Sequence, residues 1–192
     1  MVKGISYYLR QAWKKPDKEV VHSRLIEWRK GGSLEVVEKP LRIDRARALG
    51  YSAKKGFVIV RVKISRGGRK RKREQVKGRK TRKQTNRKIL KMSYRWVAEM
   101  RVARKYKNLE VLNSYWIGQD GIYYFYEVIL VDPSRPEIKN DRKINWIVDN
   151  RKRAERGLTG AAKKSRGMVT NRGKSPNLKV RPSLRSWNRR GK

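Results

Sequence analysis

The sequence predicts an α+β fold, a domain of strands and helices from which long basic segments extend. Three observations carry that expectation. Residues 57–65 alternate side chains with the period of a half-buried strand, residues 109–131 read as two strands around a tight connector, and residues 4–15 and 87–106 repeat apolar side chains at helical spacing.

Taken in order, the chain opens with Ile5, Tyr8, Leu9, Ala12 and Trp13 at helical spacing and Arg10 and Lys14 on the opposite face. Residues 4–15 are therefore expected to form an amphipathic helix that stops before Pro16. Asp17 suits the cap of a second helix that places Val21, Leu25 and Trp28 on one face and ends at Gly31-Gly32. Asp44 is expected to open a short helical turn ending at Gly50. In residues 57–65, Val58, Val60, Val62 and Ile64 line one face while Arg61 and Lys63 sit on the other. A helix over 87–106 turns Ile89, Trp96, Met100 and Ala103 inward and steps Arg87, Lys91 and Arg95 along another face. Residues 109–117 and 122–131 are expected as strands joined by the hairpin loop Gly118-Gln119-Asp120-Gly121, and Asp132-Pro133 stops the second. Ile144, Trp146, Ile147 and Val148 form the last clear apolar cluster; beyond Asn150 hydrophobic residues are scattered singly. No solenoid-type repeat is present.

Charge then bounds the function. The 192 residues carry a formal net charge of +38, a field that recruits nucleic acid before any sequence preference is considered. Residues 66–88 hold 13 Lys or Arg among 23 positions, with Glu74 the one acid and Val76 the one core-forming side chain. Like charges repel there, and too little apolar surface exists to offset the entropy of ordering, so a polyanion is the expected partner. Residues 151–192 repeat the pattern with 15 Lys or Arg against Glu155 alone. About 125 residues remain outside these two stretches, enough for one stable core. With no cysteine, a disulfide framework and a thiolate zinc site are excluded. No apolar run has the length of a membrane span or a secretory signal. His22, the one histidine, lies on a helix beside Val21 and Ser23. Asp120 belongs to a turn and Asp132 precedes a proline, so neither builds a carboxylate cluster for a catalytic magnesium ion. No nucleophile motif or phosphate-cradling loop occurs, and the chain is read as a binding protein without enzymatic activity, cofactor, metal or small-molecule substrate.

The binding residues follow from the same chemistry. In Arg66-Gly67-Gly68-Arg69 the glycines let the backbone turn and approach closely while guanidinium groups fork onto phosphate oxygens or stack on bases. Lys70, Arg71, Lys72, Arg73, Lys77, Arg79, Lys80, Arg82 and Lys83 continue that density. Arg45, Arg47, Lys54 and Lys55 flank the turn at Leu49-Gly50-Tyr51, with Ala46, Ala48 and Leu49 able to pack beneath. The aromatics divide differently. Tyr124 and Tyr126 share a face with Val128 and Leu130, and Tyr123 and Phe125 share the other with Glu127, Ile129 and Val131. Two apolar faces imply a sheet covered on both sides, so these residues, with Tyr115 and Trp116, are read as core in preference to a base-stacking platform. Trp187, among Arg185, Arg189 and Arg190 with no apolar neighbourhood, is the better candidate for stacking on RNA.

Three blocks, RARALGYSAKKGFVIVRVKISRGGRKR (45–71), VLNSYWIGQDGIYYFYEVILVDP (111–133) and RGLTGAAKKSRGM (156–168), occur in this order and cover about a third of the chain. Together they resemble the archaeal and eukaryotic large-subunit ribosomal protein family numbered fifteen in the eukaryotic scheme, which is distinct from the bacterial protein of the same number. The resemblance implies a small, mostly antiparallel sheet with flanking helices, whose extended basic segments penetrate large-subunit ribosomal RNA. Lys163, Lys164, Ser165, Arg166 and Gly167 resemble the family's tail motif, in which small residues permit close approach to RNA. The expected organisation is a globular domain over 1–150, interrupted by an RNA-penetrating segment at 66–88, and a basic extended tail over 151–192. Expected partners are large-subunit rRNA and neighbouring ribosomal proteins, and the expected place is the cytoplasmic large subunit, with nucleolar assembly first if the source is eukaryotic. A free-standing RNA chaperone or ribosome-assembly factor is the alternative.

Overall fold

The structure is a computed structural model that describes residues 3–70, 87–88, 90 and 92–169, without the side chains of Arg69, Lys70, Arg87 and Lys88. The expectations for Arg71, Lys72, Arg73, Lys77, Arg79, Lys80, Arg82 and Lys83, for Ile89 and Lys91, and for Trp187, Arg189 and Arg190 lie outside the described residues. Helices α1 (Ile5–Ala12) and α2 (Lys18–Lys30) precede strand β1 (Leu34–Val37), helix α3 (Ile43–Ala48) and strand β2 (Phe57–Ser65). Two short strands, β3 (Arg69–Lys70) and β4 (Arg87–Lys88), pair with each other. Helix α4 (Tyr94–Lys105), strands β5 (Glu110–Gln119) and β6 (Tyr123–Val131), helix α5 (Pro136–Lys139), a 3-10 turn (Asn145–Ile147) and helix α6 (Gly160–Ser165) follow.

The main sheet runs β1-β2-β6-β5 and is antiparallel throughout, so the α+β class and the flanking helices are as expected. Strands β2 and β6 pair in unbroken register from Phe57↔Val131 to Ser65↔Tyr123. Alternation along them sorts the core onto two faces. Val60, Val62, Ile64, Tyr126, Val128 and Leu130 meet Ala98 and Val102 of α4. On the opposite face, Ile59, Phe125, Ile129 and Val131 meet Trp28 of α2, Ala46 of α3 and Ile138 of α5, together with Ile144 and Ile147. The sheet is thus the middle layer of three, which is why β6 is apolar on both sides. Each large apolar side chain buried there contributes roughly 1.5–3 kcal/mol.

Several boundaries differ from the sequence reading, each for a local reason. The helix expected over 87–106 begins at Tyr94, because the Ser93 hydroxyl accepts from Trp96 N at 3.3 Å and caps it, while Arg87 and Lys88 pair as strand. Arg42, not Asp44, holds the cap position of α3, and Asp44 lies buried in its first turn. Gly118 and Gln119 belong to β5 and leave Asp120–Ile122 as the loop, where the Asp120 carboxylate accepts from Ile122 N at 2.7 Å. Gly118 is needed for close packing: an added Cβ would lie 3.0 Å from the Trp28 ring. Strand β1 went unforeseen, since four residues with Val36 left exposed give little alternation to read. Helix α2 starts as expected, with the Asp17 carboxylate accepting from Glu19 N at 3.0 Å. Its far end is closed from another element: Lys63 Nζ donates to Arg29 O at 2.9 Å and Gly31 O at 2.7 Å. Helix α1 forms where expected, yet its apolar residues are not core; Ile5 is 71% exposed and Tyr8 60%.

Candidate nucleic-acid interface

Cations in this chain have two fates, set by which backbone and acidic groups lie within reach. Arg45 and Arg47 project from α3 into solvent, as do Lys55 and, on α6, Lys163 and Lys164. Helix α3 can afford this because Ala46, fully buried, supplies its packing against the sheet while the arginines on either side turn away. Helix α6 repeats the device with Ala161 and Ala162 against Trp96, leaving the two lysines free to face outward. Thr159 caps that helix by accepting from Ala162 N at 3.3 Å.

Other cations expected at the interface are engaged within the fold. Lys54 Nζ donates to Glu137 O at 3.0 Å and pairs with Asp141, whose carboxyl it holds below the ordinary aspartate value. Arg166 is only 6% exposed, and its Nη1 donates to Gly157 O at 3.0 Å. Its neighbour Ser165 accepts from Ser93 N at 3.0 Å, joining α6 to the start of α4, and Gly167 takes a φ of 76° just past the helix end. Arg66 is exposed but anchored: its Nη1 donates to Asp120 O at 2.5 Å and its guanidinium lies 5.0 Å from the Tyr124 ring centre. Gly67, at φ 91°, makes the turn that follows, and its carbonyl accepts from the Tyr94 hydroxyl at 2.7 Å. Gly68 is exposed, and the chain then enters β3.

Arg153, which no sequence pattern singled out, shows why such residues turn inward. Strand β5 lies at the sheet edge and its register shifts between Val111 and Asn113, which leaves carbonyls without a strand partner. Arg153 Nη1 donates to Val111 O at 2.7 Å and Leu112 O at 3.1 Å, and its guanidinium lies 4.5 Å from the Trp146 ring centre. Burial pulls its pKa down from the ordinary arginine value. Below the same edge, Glu99 is fully buried and accepts from Ser114 Oγ at 2.5 Å and from the Thr159 hydroxyl. Burial raises its pKa, opposed by those two hydrogen bonds and by Arg95 and Arg153. Glu127 on the opposite face is raised for the same reason, with the Tyr115 hydroxyl donating at 2.5 Å. Of the aromatics read as core, Tyr115, Phe125 and Tyr126 are buried, Tyr123 and Tyr124 half-buried, and Trp116 is 43% exposed. No group of three or more His, Asp or Glu that could hold a metal occurs among the described residues, and no described helix is long and apolar enough to cross a membrane.

These features define a class: a basic α+β protein whose short helices bury alanines and turn their cations outward. The family model for Ribosomal L15 matches residues 4–187, and the chain belongs to that family. It is 51% identical to the large ribosomal subunit protein eL15 of Methanospirillum hungatei and 46% identical to that of Methanocella arvoryzae, in each case over the full length of both chains.

Proposed function

We propose that this chain is a structural constituent of the large ribosomal subunit that binds and stabilises large-subunit rRNA by neutralising phosphates, without enzymatic activity. The observation that carries the reading is the outward set Arg45, Arg47, Lys55, Lys163 and Lys164: none is ion-paired among the described residues, on a ribosomal-family chain of net charge +38. Arg66, Gly67, Gly68 and the basic residues from Arg69 to Lys83 are assigned to the same role, as are Trp187, Arg189 and Arg190. Lys54, half-buried, and Arg166, buried, are not carried into it, because each serves a group of the fold without the exposure that Arg66 keeps. The organisation proposed is a globular domain over 1–150 with an RNA-penetrating segment at 66–88, and a basic region over 151–192 whose first part packs on the domain. The partners are rRNA and neighbouring ribosomal proteins, and the place is the cytoplasmic ribosome, in keeping with the archaeal relatives. A phosphate-neutralising protein releases counterions, so neutralising about 8 phosphates should make log K fall against log salt with a slope on the order of −6 to −7. The test is sedimentation with large subunits on a high-salt sucrose gradient, together with that slope on purified rRNA. Recovery with the subunit and a steep slope support the reading; recovery mostly off mature subunits would favour a transient chaperone, and a flat slope would remove the electrostatic mechanism.

A further inference from the structure

A cleft of about 450 Å³ opens where α1, α3, the start of α4 and the edge strand β5 come together. Its lining brings exposed cations and two indoles into one concave space. Three exposed cations, Arg10, Lys14 and Arg45, border it, and so do the indoles of Trp13 and Trp116. Trp116 leaves 43% of its surface uncovered although its strand neighbours Tyr115 and Ile117 are buried. Trp13 is already braced by Arg42, whose guanidinium lies 4.9 Å from the ring centre. Arg95 adds a held positive charge, since Nη2 donates to Asn113 Oδ1 at 2.7 Å and Nε to Ser114 Oγ at 2.9 Å. The one acid in the lining, Asp44, stands 3.9 Å from Arg42, and its buried Oδ1 lacks a hydrogen-bond partner among the described residues.

Cations alone would suit any polyanion, and indoles alone any apolar partner. Their combination in a space this size suits a group with a flat aromatic part and a phosphate, because bases stack on exposed rings whatever their sequence while the phosphate is held by charge. We propose that this cleft receives one unpaired nucleotide of the large-subunit rRNA, its base against Trp13 and Trp116 and its phosphate among Arg10, Lys14 and Arg45. The assignment rests on the rRNA-binding reading above and adds to it a stacking site that phosphate neutralisation does not require.

Two probes separate the contributions in the full-length protein: a short unstructured oligoribonucleotide, and an inorganic polyphosphate that has no bases. Replacing both indoles (W13A with W116A) should weaken oligoribonucleotide binding about tenfold, in the range of one lost stack, and leave polyphosphate binding unchanged. Arg45→Ala should weaken both. Because removing two rings can disturb α1 or β5, Trp116→Phe, which keeps a stacking ring, is the second variant and should hold oligoribonucleotide affinity within about twofold. Ultraviolet irradiation of assembled subunits should crosslink Trp13 or Trp116 to a nucleotide. Equal loss on both probes, no loss on the oligoribonucleotide, or crosslinks to protein in place of RNA would overturn the assignment. Wild-type binding indifferent to salt on both probes would overturn the rRNA reading and the cleft with it, whereas salt-dependent binding indifferent to the indoles overturns the cleft alone.

Discussion

Two pairs of arginines, Arg45 and Arg47 on helix α3 and Arg153 and Arg166 on either side of Gly157, use their charge in opposite ways. Among the described residues Arg45 and Arg47 have no acid or carbonyl partner, and both are exposed. Arg153 and Arg166 turn inward onto the carbonyls of Val111, Leu112 and Gly157. The difference lies in the backbone nearby. Helix α3 is a closed turn beside a buried alanine, whereas the bulged edge of β5 and the chain bend at Gly157 leave acceptors that must be satisfied once water is excluded. Even in a chain this basic, Arg153 and Arg166 serve the fold where a carbonyl is within reach, and the outward cations are the ones left for the proposed rRNA contacts.

Breaking the inward group should have the largest effect. Arg153→Ala removes a charge-assisted bond to two carbonyls and the contact with Trp146, and should cost about 2–3 kcal/mol in chemical denaturation. Unchanged stability would show that Arg153 belongs with the outward set. Gly118→Ala tests the packing around that sheet: Trp28 is held by Phe125 at 5.3 Å between ring centres and has little room to yield, so a loss of about 1–2 kcal/mol is expected.

A pH series sharpens the comparison at two buried acids, Glu99, which faces Arg153, and Glu127 on the opposite face of the sheet. Burial holds Glu99 and Glu127 above the ordinary glutamate value of 4.5, so above 4.5 the folded protein retains protons that the unfolded chain has released. Stability linked to these groups therefore falls as pH rises from 4.5 through their raised folded values. Asp141 is shifted the other way and acts only below its ordinary value of 3.8, outside that window. Glu99→Gln should flatten the fall measured by denaturation midpoint between mildly acidic and neutral pH; an unchanged profile would mean that Glu99 does not contribute to it.

Much of the sheet was legible because β2 and β6 repeat apolar residues over nine positions and pair without interruption. Period two along Val58, Val60, Val62 and Ile64 therefore named a real face, and two apolar faces on β6 correctly implied two covering layers. Helix α2 was readable from Asp17 and Trp28 for similar reasons. What escaped depends on tertiary acceptors. Nothing local distinguishes Arg166 from Lys164, since the carbonyl that turns Arg166 inward belongs to Gly157 and is brought there by the fold. Lys63 looked like the polar face of a strand and instead closes the end of α2. Likewise, the spacing of Arg87, Lys91 and Arg95 mimicked a helix face, although Ser93 is where the backbone gains its cap. Arg10 and Lys14 were visible as a cationic helix face, but their meeting with Trp116 across the fold was not.

The outward group should give the smallest change in stability and the clearest change in binding. Replacing Arg45, Arg47, Lys163 and Lys164 together with alanine tests the central claim most directly, through the salt dependence of rRNA binding measured beside the melting temperature of the free protein. If each contacts one phosphate, the slope of log K against log salt should become shallower by about 3, while stability changes by less than about 0.5 kcal/mol per site. An unchanged slope, or a collapse in melting temperature comparable to that of Arg153→Ala, would contradict the division between cations that hold the fold and cations that hold RNA.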